Sequence, residues 1–179
     1  MFDQWQKPLD IPDLIRKGIT LEGEARISEL LSAKDSAVAR ASGRLDGLVL
    51  NDPVVHYMFH FGRNEAGQRL VEGRVDTQVD LTCQRCLEPV SVEIHSEVML
   101  GVVKNEQDIA KLPESAEPLV LGDESVWLAD LIEDEILLAL PVVPRHEHLC
   151  VPLHREYEDA EVVENPFAAL RDWVKPSTH

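Results

Sequence analysis

From residue 38 to about residue 103 the chain alternates apolar and polar positions with a period of two, interrupted by short tracts of turn-forming residues. The runs SGRLDGLVL, VVHYMFHF, RLVEGRVDTQVDLTC and LEPVSVEIHSEVMLGVV are separated by NDP, GRNEAGQ and QRC. In the last run Val90, Val92, Ile94, Val98 and Leu100 fall on one side, and Ser91, Glu93, His95 and Glu97 on the other. Successive side chains of a strand point to opposite faces, so the pattern predicts a meander of four or more antiparallel strands with one buried face. His56, Met58 and His60 share one side of the second run and belong to its solvent face.

The flanks change period. PLDIPDLIRKG places prolines early and Gly18 late, which predicts a short helix or turn near 12–17. ITLEGEARI then reads as a half-buried strand with Ile19, Leu21, Ala25 and Ile27 on one side, and Ser28 is placed to cap a brief helix through ISELLSA with Glu29 in its first turn. The polar, proline-punctuated tract at 105–118 reads as a surface connection. After it, SVWLADLIEDEILLALP has Leu128, Leu131, Ile132, Ile136 and Ala139 at helical spacing, Ser125 as a cap and Pro141 as a stop. That predicts a helix at about 125–140 whose apolar stripe packs on the sheet, with Asp130, Glu133 and Asp134 on its solvated side. EYEDAEVVE at 156–164 reads as an acidic linker, and NPFAALRDWV as a short docking helix presenting Phe167, Leu170 and Trp173. The fold class is therefore α+β: an antiparallel β-sheet or partly closed barrel packed by the 125–140 helix, with short N- and C-terminal helices. Residues 1–155 form the single domain, and 156–179 the linker and docking helix.

Composition adds one strong constraint. Among 179 residues, 33 are acidic and 17 basic, a formal charge of -16. Phosphate backbones are gripped by cations, so this balance argues against a broad nucleic-acid surface and favours a basic partner. The first residues lack a basic start followed by an apolar core, and no apolar run is long enough to span a bilayer, which points to a cytoplasmic protein without a membrane role. Three cysteines in a reducing compartment leave metal, redox chemistry or simple burial as their explanation.

The cysteines fall in two clusters. Cys83 and Cys86 form a Cys-x-x-Cys at the QRC turn, and HEHLC supplies His146, His148 and Cys150 after the helix. Zinc takes four ligands from cysteine and histidine, often as two knuckles, so the clusters form one structural zinc site if the fold brings them together. The alternative is cysteines packed at strand ends beside exposed histidines. Redox chemistry fits least, because a redox pair usually opens a helix and this one lies between strands. No Gly-rich phosphate loop or nucleophile elbow is present, and nothing marks an enzyme. Two surfaces are candidates for a macromolecular partner. One is acidic, formed by Asp130, Glu133 and Asp134 with Glu158, Asp159 and Glu161 of the linker. The other is a local arginine patch for RNA, centred on Arg63, Arg69 and Arg85 and flanked by Arg40, Arg44 and Arg74.

Three stretches taken in order, CQRCLEPV, EDEILLALPVVPRHE and NPFAAL, resemble the YceD family of large ribosomal RNA subunit accumulation proteins, from about residue 8 to residue 172. The resemblance implies a ribosome-biogenesis role in accumulation or processing of 23S large-subunit ribosomal RNA, without an established enzymatic activity. It implies as partner a large-subunit ribosomal protein or assembly intermediate, because in many bacteria the family's gene lies beside that of a small basic ribosomal protein. A 23S rRNA precursor is the other partner it brings into view. Many relatives carry more cysteines after the helix, so the segment His146 to Cys150 looks like a histidine-substituted version.

Overall fold

The computed structural model describes residues 8–32, 44, 45, 47–122 and 126–151. By its contacts the chain divides into two compact units, Met1–His148 and Leu149–His179. In chain order the first unit has α1 (Ile11–Lys17), β1 (Thr20–Arg26), α2 (Ile27–Ser32), β2 (Val54–Arg63), β3 (Arg69–Thr82), β4 (Pro89–Val103), a 3-10 turn (Glu106–Lys111), β5 (Glu117–Val120) and α3 (Leu128–Ala139).

The strands form one open five-stranded sheet in the order β1-β2-β3-β4-β5. The first three pairings are antiparallel, as the period-two pattern predicts, and β5 lies parallel to β4. Of the two expected architectures the open sheet is the one formed, since β1 and β5 remain its two edges. Register follows hydrophobicity. Val71↔Leu100, Val79↔Val92 and Leu81↔Val90 are opposed across β3 and β4. The face they share with Val55, Phe59 and Phe61 of β2 is buried against α1 and α3, which contribute Ile11, Ile15, Leu128, Ile132 and Ile136. Thr77 is buried on β3, and its hydroxyl donates to the Val54 carbonyl at 2.9 Å, so its polarity is satisfied.

Local signals explain most ends. Asp10 caps α1 by accepting from the Asp13 N–H at 3.0 Å, and Gly18 closes it in the left-handed region at φ +63°. At α2 the structure departs from expectation. Ser28 lies inside the helix, and its N–H and hydroxyl both donate to Asp52 at 2.9 Å, while Glu29 reaches back to the Arg26 N–H. The cap is thus supplied from the loop just before β2, a contact too distant in sequence to be read locally. Two further elements differ. The run SGRLDGLVL, expected as a strand, forms turns among its described residues, because Gly47 at φ +74° breaks extension and leaves Leu45 buried. The tract expected to be a plain connection contains the 3-10 turn and ends in β5, whose Pro118 sits on an edge strand where a missing N–H is tolerated. α3 begins at Leu128, after Trp127 bridges to Pro8 and the Leu9 N–H donates to the Val126 carbonyl at 2.8 Å. The expected cap Ser125 lies outside the described residues, as does the expected helix at 165–174.

The uncovered sheet face carries a cross-strand row in which Glu24 opposes His56, and His56, Asp76 and His95 follow in register. The hydrogen bond His95 donates to Asp76 at 2.9 Å raises the His95 pKa above its ordinary value; desolvation opposes this, and the Glu93 hydrogen bond and the charges of Asp76 and Glu93 add to it. The folded-state pKa exceeds the unfolded one, so the contribution of His95 is fully present below about pH 6.5 and is lost as pH rises through the folded value. The stability difference between the protein and His95→Gln, followed by urea unfolding, should accordingly shrink to zero on going from mildly acidic to alkaline buffer. A second expectation concerns Gly73, where an added Cβ would stand 2.3 Å from the Met58 carbonyl oxygen and 2.8 Å from the Phe59 ring. Gly73→Ala should destabilise by about 2 kcal/mol, read as a lowered thermal midpoint.

Candidate metal centre

β3 and β4 run antiparallel up to Thr82↔Pro89, so the residues between them form the tip of a long hairpin. The tip is closed by its own backbone: the Cys83 N–H donates to the Glu88 carbonyl and the Leu87 N–H to the Cys83 carbonyl, each at 2.9 Å. Leu87 takes φ +67°, the one positive φ on a non-glycine among the described residues. For an L-residue that conformation costs about 1–2 kcal/mol, and here it turns the chain directly after Cys86.

The segment following α3 is tied to this tip. The Gln84 N–H donates to the Pro144 carbonyl at 2.9 Å. The Arg85 guanidinium donates to the His146 carbonyl at 3.0 Å and also to the His148 carbonyl. A guanidinium is a rigid fork of donors, well suited to clamp two carbonyls of one segment. The clamp brings His146 onto the hairpin: its Nδ1 lies 3.4 Å from Cys86 Sγ, and its Nε2 lies 3.0 Å from the Pro89 carbonyl. A carbonyl only accepts, so Nε2 carries the proton and Nδ1 presents its lone pair to the sulfur.

Four of the five predicted ligands come together. Cys83, Cys86, His146 and Cys150 each offer one ligand atom, and these atoms all lie within 4.8 Å of one another. His148 is left outside the group; it is exposed, and its ring stands beside that of His146 with centroids 4.9 Å apart. Tetrahedral zinc with bonds of about 2.3 Å to sulfur would bring thiolates to roughly 3.8 Å from one another, so the group needs only a small contraction. Burial pushes the Cys83 thiol up, but hydrogen bonds from the backbone N–H groups of Cys86, His146 and Arg85 and from the Cys86 side chain outweigh it and bring the pKa to about 5. Three thiols and an imidazole of fixed tautomer, with N–H groups directed at one sulfur, are a donor set suited to a soft divalent ion.

The other candidate residues are arranged differently from expectation. The acids of α3 do not form one solvated face. Glu133 is 2 % exposed, and Arg44 bridges it to Asp134, at 3.4 Å and 2.5 Å. Asp130 is half-buried. The spacing did carry a signal for Glu133, which stands four residues after buried Ala129 and three before buried Ile136. Glu158, Asp159 and Glu161 lie outside the described residues. The arginines are likewise not gathered. Arg63 and Arg69 oppose each other at one end of β3, where Arg63 donates to the Gly67 carbonyl at 2.9 Å, and Arg85 is engaged beyond the other end. The 14 residues of β3 separate the two ends by about 40 Å at the usual rise of a strand. Arg74 lies 3.8 Å from Asp76 on the open face, and Arg40 is outside the described residues. The structural work of Arg85 and Arg44 had no local signature, since both partners are more than sixty residues away in the chain.

The model of large ribosomal RNA subunit accumulation protein YceD matches residues 71–172, which include the hairpin tip, α3 and the second cluster. The chain belongs to the YceD family. A Haemophilus influenzae relative named "Large ribosomal RNA subunit accumulation protein YceD" is 36% identical over 132 residues, covering 68% of this chain and 74% of the relative. No solved structure matches. Among the described residues of this YceD-family protein, no helix is long and apolar enough to cross a membrane.

If the Arg85 clamp holds the second segment on the hairpin, Arg85→Met should leave the sheet folded while the amides of residues 144–148 exchange at least ten-fold faster, measured by hydrogen exchange with mass detection.

Proposed function

We propose that this protein is a non-catalytic factor in the accumulation of large-subunit ribosomal RNA, acting in the cytoplasm by holding a basic component of the assembling subunit, with one zinc ion as a structural staple. Membership of a family named for that accumulation carries the functional part. The charge of -16 favours a basic protein over an RNA backbone as the direct contact, since like charges repel and counterion release requires protein cations. The scattered arrangement of Arg63, Arg69 and Arg85 gives the RNA-binding alternative no continuous surface. In the preferred reading Asp130 and Asp134 of α3, with Glu158, Asp159 and Glu161, add to the attractive field; Glu133 acts inside the fold.

For the metal, Cys83, Cys86, His146 and Cys150 would fill all four positions of a tetrahedral ion. A catalytic zinc keeps one position open for water or substrate, whereas four protein ligands make a closed, structural site. The ion would replace a hydrophobic anchor between the hairpin and the segment after α3, and its binding free energy would add to folding. His148 would remain a spectator.

The metal expectation is one zinc per chain by elemental analysis, a lowered thermal midpoint on chelation, and recovery on returning zinc. Cys83→Ser and His146→Ala should both lose the ion, while His148→Ala should keep it; stoichiometric zinc in Cys83→Ser would defeat the assignment. The partner expectation is that the tagged protein, recovered from growing cells in low salt, retains a basic large-subunit protein after nuclease treatment, with association that slows as salt is added. Retention of 23S rRNA precursor alone, abolished by nuclease and by reversing the charge of Arg63 and Arg69, would overturn the protein-holder reading in favour of RNA binding.

A further inference from the structure

The tip of the β3–β4 hairpin exposes apolar side chains that the proposed zinc staple does not use. Leu87 is 74% exposed, and it occupies a left-handed position that glycine or asparagine would fill without strain. Its side chain supplies little to the core in return. The segment tied to the tip through the Gln84–Pro144 hydrogen bond exposes Val142 at 98% and also Val143, and Leu138 at the end of α3 is 72% exposed. At the opposite end of the sheet Met99 and Val120 stand near 36% and 38%. Apolar side chains are thus exposed on the tip and on the segment tied to it, and the turn itself is closed by the Cys83–Glu88 and Leu87–Cys83 backbone hydrogen bonds.

A strained, rigidly seated and exposed leucine makes sense when its side chain is buried by something else, because binding surfaces gather their energy in a few preorganised apolar anchors. The chain's charge selects the occupant. A second copy would bring another -16 onto the first, and an acidic protein or a nucleic acid would be repelled in the same way. Around the tip Glu88, Arg145 and Glu147 are exposed, while Arg85 is half-buried with its guanidinium on carbonyls of the same segment. An apolar centre on a chain of net charge -16 fits a basic polypeptide that offers an apolar pocket or side chain among its lysines and arginines.

We infer that Leu87, with Val142 and Val143, is the apolar anchor by which the hairpin tip docks a basic protein partner. The inference rests on the basic-partner reading above and adds the place and the anchor: specificity comes from the tip, and the diffuse acidic field supplies steering.

The test uses the full-length protein with a photo-reactive phenylalanine at position 87, and in a control at position 120, mixed with the proteins extracted from purified large ribosomal subunits. The expected result is cross-linking from position 87 to one or a few basic proteins, with little from position 120. Leu87→Gly and Leu87→Asn, which both accept a left-handed backbone, should melt at the same temperature as the parent or higher, yet bind the cross-linked protein at least ten-fold more weakly. Cross-links confined to residues 152–179 of the same chain, to a second copy or to an acidic protein would overturn the anchor, as would unchanged affinity in both variants. If a basic protein is still captured by Leu87→Gly at full affinity, the docking tip falls and the basic-partner reading stands. If the parent binds no basic protein even in low salt, both fall together.

Discussion

The register between β3 and β4 is the constraint on which the rest of the molecule depends. Thirteen residue pairs, from Leu70↔Gly101 to Thr82↔Pro89, set which side chains enter the core and where the hairpin turns. A slip of one residue would send Val71, Val75 and Val79 to solvent and bring Glu72, Arg74 and Gln78 inside, an exchange no packing could offset. The same register ends the ladder directly before Cys83. The core and the candidate metal centre are thus two consequences of one pairing.

What is attached to that hairpin is attached through the backbone. Gln84 binds the Pro144 carbonyl, Arg85 takes carbonyls of His146 and His148, and His146 leans on the Pro89 carbonyl. A segment with two prolines and few core contacts cannot hold itself in place by apolar burial, so polar links to fixed acceptors do that work. They also prepare the ligands: the bond at Nε2 presents Nδ1 of His146, and N–H groups around Cys83 favour its thiolate. A metal ion bound there would meet donors already oriented and partly deprotonated, which would lower the entropy lost on binding.

The charge of the chain is divided by the fold into working and spectator parts. Glu133, an acid by composition like any other, is buried and bridged by Arg44 to Asp134. Arg85, a cation by composition, is a clamp. Removing these from the tally of surface charge leaves the sheet's open face, with its row of Glu24, His56, Asp76 and His95, as a described display of polar side chains. A net charge therefore predicts the sign of a partner better than it predicts the residues that meet it.

The strands β1 to β4, the helices α1 and α3 and the hairpin tip were legible in the sequence alone, because each depends on a period or a spacing within a few residues; the meeting of the two cysteine clusters, far apart in the chain, was left to the fold. Alternation sorts side chains between two faces, a 3.6-residue stripe marks a helix, and turn residues mark the ends. The tertiary structure decided what depends on partners far along the chain. It chose His146 over His148, turned SGRLDGLVL away from the sheet around Gly47, drew β5 onto β4, capped α2 with Asp52, and buried Glu133 against Arg44. Local spacing does not favour His146, which lies four residues from Cys150 where His148 lies two; a carbonyl on Pro89, placed by a strand more than fifty residues earlier, does.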